Sequence, residues 1–107
     1  MKVDFDYNEL IGICFLFEIT DKEYIKFGKH YQHVLLGEFK SKILNNIKLK
    51  KYELDLDRHL SIELSNIILD GINISASKNM FNLSEQGINI YNKLTKIISQ
   101  AIKCNDI

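Results

Sequence analysis

Between residues 52 and 64 the chain alternates almost without exception. The even positions are Tyr52, Leu54, Leu56, Arg58, Leu60, Ile62 and Leu64, six of seven apolar, and the odd positions Glu53, Asp55, Asp57, His59, Ser61 and Glu63 are all polar. Period two is the repeat of a strand with one face on a core and one in water, so the stretch predicts a half-buried antiparallel strand pair. A helix over 60–71 is the competing reading. It would gather Leu60, Leu64, Ile67 and Ile68 but leave Ile62 and Leu69 on the far side. The strand reading exposes fewer apolar side chains, and it agrees with Asp70-Gly71, a two-residue hairpin signal between 67–69 and 72–74.

The N-terminal segment shows the same period: eight of the nine odd positions from 3 to 19 are apolar. Two strands are predicted, near 3–7 and 11–19, separated around Asn8 and Glu9. Leu10, Cys14 and Leu16 on the other face mark the second as buried on both sides. An apolar run this short also admits a helix over 7–18. Thr20-Asp21-Lys22-Glu23 has the spacing of a capping box, and Tyr24, Phe27, Tyr31, Val34 and Leu35 follow along one helical stripe. Gly37 breaks or bends this helix, and 41–50 resumes it with Ile43, Leu44 and Ile47 toward the core. A last helix opens at Asn82, with Glu85 as capping partner, and aligns Ile88, Tyr91, Thr95, Ile98 and Ile102 over about five turns. The order β-β-α-β-β-β-α is that of an α+β domain: an antiparallel sheet of about four to five strands with two main helices packed on it.

At 107 residues the chain is long enough for one hydrophobic core without disulfide or metal, and neither a linker nor a repeat divides it, so residues 1–107 form a single domain. Two acids in the first six residues are unlike a secretory signal. The longest apolar run, Leu10 to Phe17, has eight residues where a membrane span needs about 20. Cys14 and Cys104 lack metal-ligand or CxxC spacing and read as reduced thiols, so a cytoplasmic protein without membrane attachment is expected.

No motif points to catalysis. His30 and His33 are three apart on a helix but lack a third metal ligand and a flanking carboxylate. His59, two positions from Asp57, has acid/base character but no nucleophile beside it. None of the phosphate-cradling glycine spacings occurs, and the sequons at Asn73 and Asn82 carry no meaning without secretion. A non-enzymatic protein without cofactor, catalytic set or metal site is the expectation.

Charge is more informative. The 14 basic and 14 acidic residues cancel, but residues 1–20 carry a net −3, 21–51 +5, 52–75 −4 and 76–107 +2. On a strand, Glu53, Asp55, Asp57 and Glu63 would project from one polar face at about 6.8 Å per alternate residue, an acidic row suited to a basic partner protein such as a nuclease or toxin. Lys40, Lys42, Lys48, Lys50 and Lys51 form an opposing basic patch. The first functional reading is therefore a small cytoplasmic binding or inhibitor protein, of the immunity, antitoxin or anti-defence kind, with Glu53, Asp55, Asp57 and Glu63 steering the partner and nearby aromatics anchoring it.

The second reading starts from Ile72 to Leu94, whose Leu-Ser-x-x-Gly followed by Tyr and Leu resembles the wing hairpin and following helix of winged-helix regulators of the multiple-antibiotic-resistance type. The resemblance covers about a fifth of the chain and implies a DNA-binding transcriptional regulator with its recognition helix over 59–69. That segment offers Arg58 and Asn66 to bases amid Asp57, Glu63 and Asp70, which makes nucleic acid the less favoured partner.

Overall fold

The computed structural model describes residues 2–105, with side chains described over 2–101. Its elements run β1 (Lys2–Asp4), α1 (Tyr7–Lys26), α2 (His30–Lys48), β2 (Glu53–Asp55), α3 (Arg58–Ser77) and α4 (Phe81–Asn105). The expected α+β sheet of four to five strands with two main helices is thereby corrected: among the described residues the structure is 80% helical, in four helices, and the sheet has two antiparallel strands.

The helices start on side chains that satisfy orphan backbone donors. Asp6 caps α1 by accepting from the Glu9 N–H at 2.7 Å, and Glu9 Oε1 accepts from the Asp6 N–H at 3.0 Å, a complete capping box. Asp57 caps α3 by accepting from the Leu60 N–H at 2.8 Å. Thr20, read as a cap, lies inside α1 and donates its hydroxyl to the Leu16 carbonyl at 2.6 Å.

Three helices end in the same way. After α1, α2 and α3 one residue turns left-handed, Gly28 (φ 67°), Lys50 (φ 56°) and Asn79 (φ 60°). The next amide reaches back five residues, Lys29 to the Tyr24 carbonyl, Lys51 to Asn46 and Met80 to Ser75, at 2.8–2.9 Å. These are Schellman closures, and they satisfy carbonyls the helix leaves open. Only the first uses glycine. Gly37 and Gly71, read as a break and a turn, lie inside α2 and α3.

The helices run alternately up and down. The β1–β2 ribbon, with Val3 opposite Leu54 and both side chains fully buried, closes the end where α1 and α3 begin. The turns α1–α2 and α3–α4 form the opposite end. α1 is the central helix, packed on α2, α3 and α4. This position explains why 11–19 carries apolar residues on nearly every side: Leu10, Ile13, Leu16 and Phe17 are all fully buried. At the α1–α3 crossing the backbones come so close that a Cβ on Gly71 would stand 2.8 Å from Thr20 Oγ1. Gly71 is therefore a helix contact, not a hairpin turn.

Of the alternation over 52–64, Glu53–Asp55 is strand and 58–64 is helix. Leu60, Leu64, Ile67 and Ile68 face inward while Ile62 and Leu69 stay more than a third exposed. α4 begins at Phe81 and spans 25 residues, about seven turns. Its buried hydrophobic side chains among the described residues are Ile90, Leu94 and Ile98, with Ile88 turned outward. Ile102 and Cys104 lie outside the residues with described side chains. Residues 72–80, which resemble a wing, are the end of α3 and its turn, so no hairpin occupies them.

Candidate docking surface

Folding separates the expected acidic row. Glu53 and Asp55 share the outer face of β2, Asp57 is the cap of α3, and Glu63 lies on α3 with its carboxylate 3.7 Å from His59 Nε2. Cations from the neighbouring blocks meet these residues: Lys2 Nζ stands 3.7 Å from Glu53, and Lys42 Nζ donates to the Asp55 carbonyl at 3.0 Å. Lys93 pairs with Glu9 at 3.0 Å and sits over the Phe5 ring. The charge blocks along the chain thus fold against one another and mix at the ribbon end.

A different constellation forms at the opposite end. Tyr24 is buried on α1 and donates its hydroxyl to Asp70 Oδ2 on α3 at 2.5 Å. His33 Nδ1 on α2 lies 2.6 Å from Asp21 Oδ1 on α1, so the imidazole has the carboxylate partner that its sequence neighbours do not supply. Glu23 and Lys78 lie 3.7 Å apart and bring the two turns together. A pocket of about 200 Å³ opens between α1 and α3, walled by Phe27 and Ile74, with Tyr24, Asp70, Asn73 and Lys29 as its polar side.

Phe27 borders this pocket and belongs to the four most exposed large apolar side chains among the described residues: Ile25 (61%), Phe27 (65%), Tyr31 (60%) and Phe81 (65%). Phe27 is the C-cap of α1, Tyr31 is in the first turn of α2, and Phe81 opens α4. The stripe Tyr24, Phe27, Tyr31, Val34 and Leu35 places Phe27 and Tyr31 on one helical face with Tyr24 and Leu35. The Schellman turn at 27–29 interrupts that stripe, so Tyr24 and Leu35 go inward while Phe27, Tyr31 and Val34 face out. The Phe27-Gly28 pair was the available signal, a helix stop in the middle of the apparent stripe.

Burial raises the Tyr24 hydroxyl far above its ordinary pKa, and the hydrogen bond to Asp70 and the charges of Asp70 and Asp21 push in the same direction. The fold therefore keeps a proton that the unfolded chain loses near pH 10, and this contribution to stability is complete below about pH 10 and declines above it. Tyr24→Phe removes it. The stability advantage of wild type over Tyr24→Phe, measured by urea unfolding, is expected to shrink between about pH 9 and pH 11; an advantage constant across that range would show that Tyr24 does not hold its proton in the fold.

Cys14 is a half-buried free thiol whose pKa is raised by burial and only partly drawn back by Lys40, the setting of an unreactive cysteine. Among the described residues no group of three or more His, Cys, Asp or Glu is placed to hold a metal ion, and no helix is long and apolar enough to cross a membrane. Compared with known proteins, the chain matches no protein family, no curated protein and no solved structure.

Proposed function

We propose that this chain is a protein-binding domain that docks on its partner through the turn end of the helical bundle. The observation that carries this reading is that Ile25, Phe27, Tyr31 and Phe81, the most exposed large apolar side chains among the described residues, all flank the two turns at this end, with Phe27 at the edge of a pocket. Aromatic side chains around a concavity are the usual centre of a protein interface, where a few residues dominate affinity. An inhibitor of the immunity or antitoxin kind acts in this way, by occupying a surface.

Phe27→Ala is expected to weaken the partner complex about thirtyfold, the effect of losing a hot-spot aromatic. Glu53→Lys with Asp55→Lys, at the ribbon end, is expected to leave affinity within about threefold. Asp57 is left unchanged because its loss would also uncap α3. Partners captured through a photo-cross-linker at exposed position 30, which leaves Phe27 in place, supply the complex, and calorimetry of each variant supplies the affinities. The opposite ranking, loss at Glu53 and Asp55 with none at Phe27, would transfer the docking surface to the acidic residues.

A further inference from the structure

His30 and His33 stand in the first turns of α2, three residues apart, a spacing at which two side chains of one helix can ligate a single ion. The sequence around them lacks a carboxylate to orient an imidazole and lacks a third ligand. The fold supplies the carboxylate. Asp21, on α1, brings its Oδ1 to 2.6 Å from His33 Nδ1. A carboxylate only accepts, so Nδ1 carries the proton and, in the neutral ring, Nε2 keeps a lone pair. A carboxylate in this position fixes the tautomer of metal-ligating imidazoles and raises their basicity. His33 and the exposed His30 also line one concavity of about 310 Å³ between α1 and α2, whose remaining walls are Tyr24, Ile25 and Gly28.

We infer that His30 and His33 bind a divalent transition-metal ion of the zinc class, with Asp21 as the positioning residue of His33. Imidazole nitrogen suits zinc, copper and nickel, whereas magnesium and calcium take oxygen ligands. Tyr24 is not a competing ligand, because its hydroxyl is donated to Asp70 at 2.5 Å. Among the described residues no third His, Cys, Asp or Glu completes the set. Two positions of a tetrahedral ion are therefore left to water, the mark of an accessible site rather than a closed structural one. The positive end of α2 opposes a cation at His30, and the charge of Asp21 offsets it. The ion binds the isolated chain, so the site stands or falls apart from the docking surface.

The test uses the full-length, nitrogen-15-labelled chain slightly above neutral pH, where unperturbed imidazoles are neutral, with zinc chloride and magnesium chloride as probes. Before metal is added, the ring nitrogens of His33 are expected to show the proton on Nδ1. Zinc is expected to shift the ring nitrogens of His30 and His33 saturably, and magnesium at the same concentration to leave them unmoved. By calorimetry, His30→Gln and His33→Gln are each expected to weaken zinc at least about tenfold, and Asp21→Asn about tenfold with loss of the single His33 tautomer. His59→Gln, which removes the remaining histidine of the chain, is expected to leave the affinity unchanged. Far-UV circular dichroism checks each fold, and exposed His30 supplies a variant that leaves the α1–α2 contact intact. No zinc binding, zinc binding undiminished by His30→Gln, equal binding of magnesium, or an equal loss in His59→Gln would overturn the site. Asp21→Asn without effect on either affinity or tautomer would remove Asp21 from it.

Discussion

Leu64→Ala is expected to lower the free energy of unfolding by about 2–5 kcal/mol, and Ile62→Ala, two residues away, by less than about 1 kcal/mol. Leu64 is fully buried on α3, so its truncation removes transfer energy and leaves a cavity lined by a packed core. Ile62 is 39% exposed, and replacing a β-branched residue by alanine on an outward helix position recovers part of what it loses. In a strand pair both residues would share the inner face and the two losses would be alike. Urea unfolding of the two variants therefore discriminates a helix from a strand at 58–64; equal losses would restore the strand. For a domain of this length a total stability of about 5–15 kcal/mol is ordinary, so Leu64→Ala also removes a substantial part of it.

The alternation misleads because it spans an element boundary. Leu54 and Leu56 point inward from the ribbon and its connection, and Leu60 and Leu64 follow at intervals of four, a spacing that satisfies both period two and a helix face. The inward helix positions between them are small and polar. Ser61, Ser65 and Ser75 are buried, as is Thr20 on α1, and each donates its hydroxyl to a carbonyl three or four residues earlier in its own helix. A pattern that counts apolar side chains scores such positions as solvent-facing, whereas a hydroxyl satisfied within its own turn is compatible with a core. The competing helices over 7–18 and 60–71 fall within α1 and α3, and among the described residues only the ribbon remains of the expected sheet.

Helix ends were illegible for a related reason. Lys50 and Asn79 take the left-handed closing position that glycine usually fills, while Gly71 serves close packing inside a helix. Punctuation by glycine consequently placed stops where helices continue. The docking end depends on the same closures, because Phe27 and Tyr31 are exposed only through the turn between them. The charge blocks were legible as composition, yet which acids remain outward depends on Lys2, Lys42 and Lys78 reaching carboxylates or carbonyls far along the chain.

Gly71→Asn is expected to destabilise the fold by about 3 kcal/mol, although asparagine is the residue that best replaces glycine in a hairpin turn. In the helix contact the added Cβ meets Thr20 Oγ1 at 2.8 Å and Leu16 Cβ at 3.3 Å, and the amide is forced into a buried interface. Gly71→Ala carries the steric part alone. Alanine improves helix propensity over glycine by about 1 kcal/mol, and overpacking costs about 1–3 kcal/mol, so a net loss of about 1 kcal/mol is expected. The clash is with a hydroxyl already bonded to the Leu16 carbonyl, so Thr20 cannot rotate away without breaking that bond. Removing it supplies the decisive variant. Thr20→Ala alone should cost about 1 kcal/mol. Combined with Gly71→Ala it should cost less than the sum of the two, by about 1 kcal/mol, because the atom that the new methyl group meets is gone. Additivity within about 0.3 kcal/mol would mean that residues 20 and 71 do not touch, and the α1–α3 crossing that aligns Tyr24 with Asp70 would have to be redrawn.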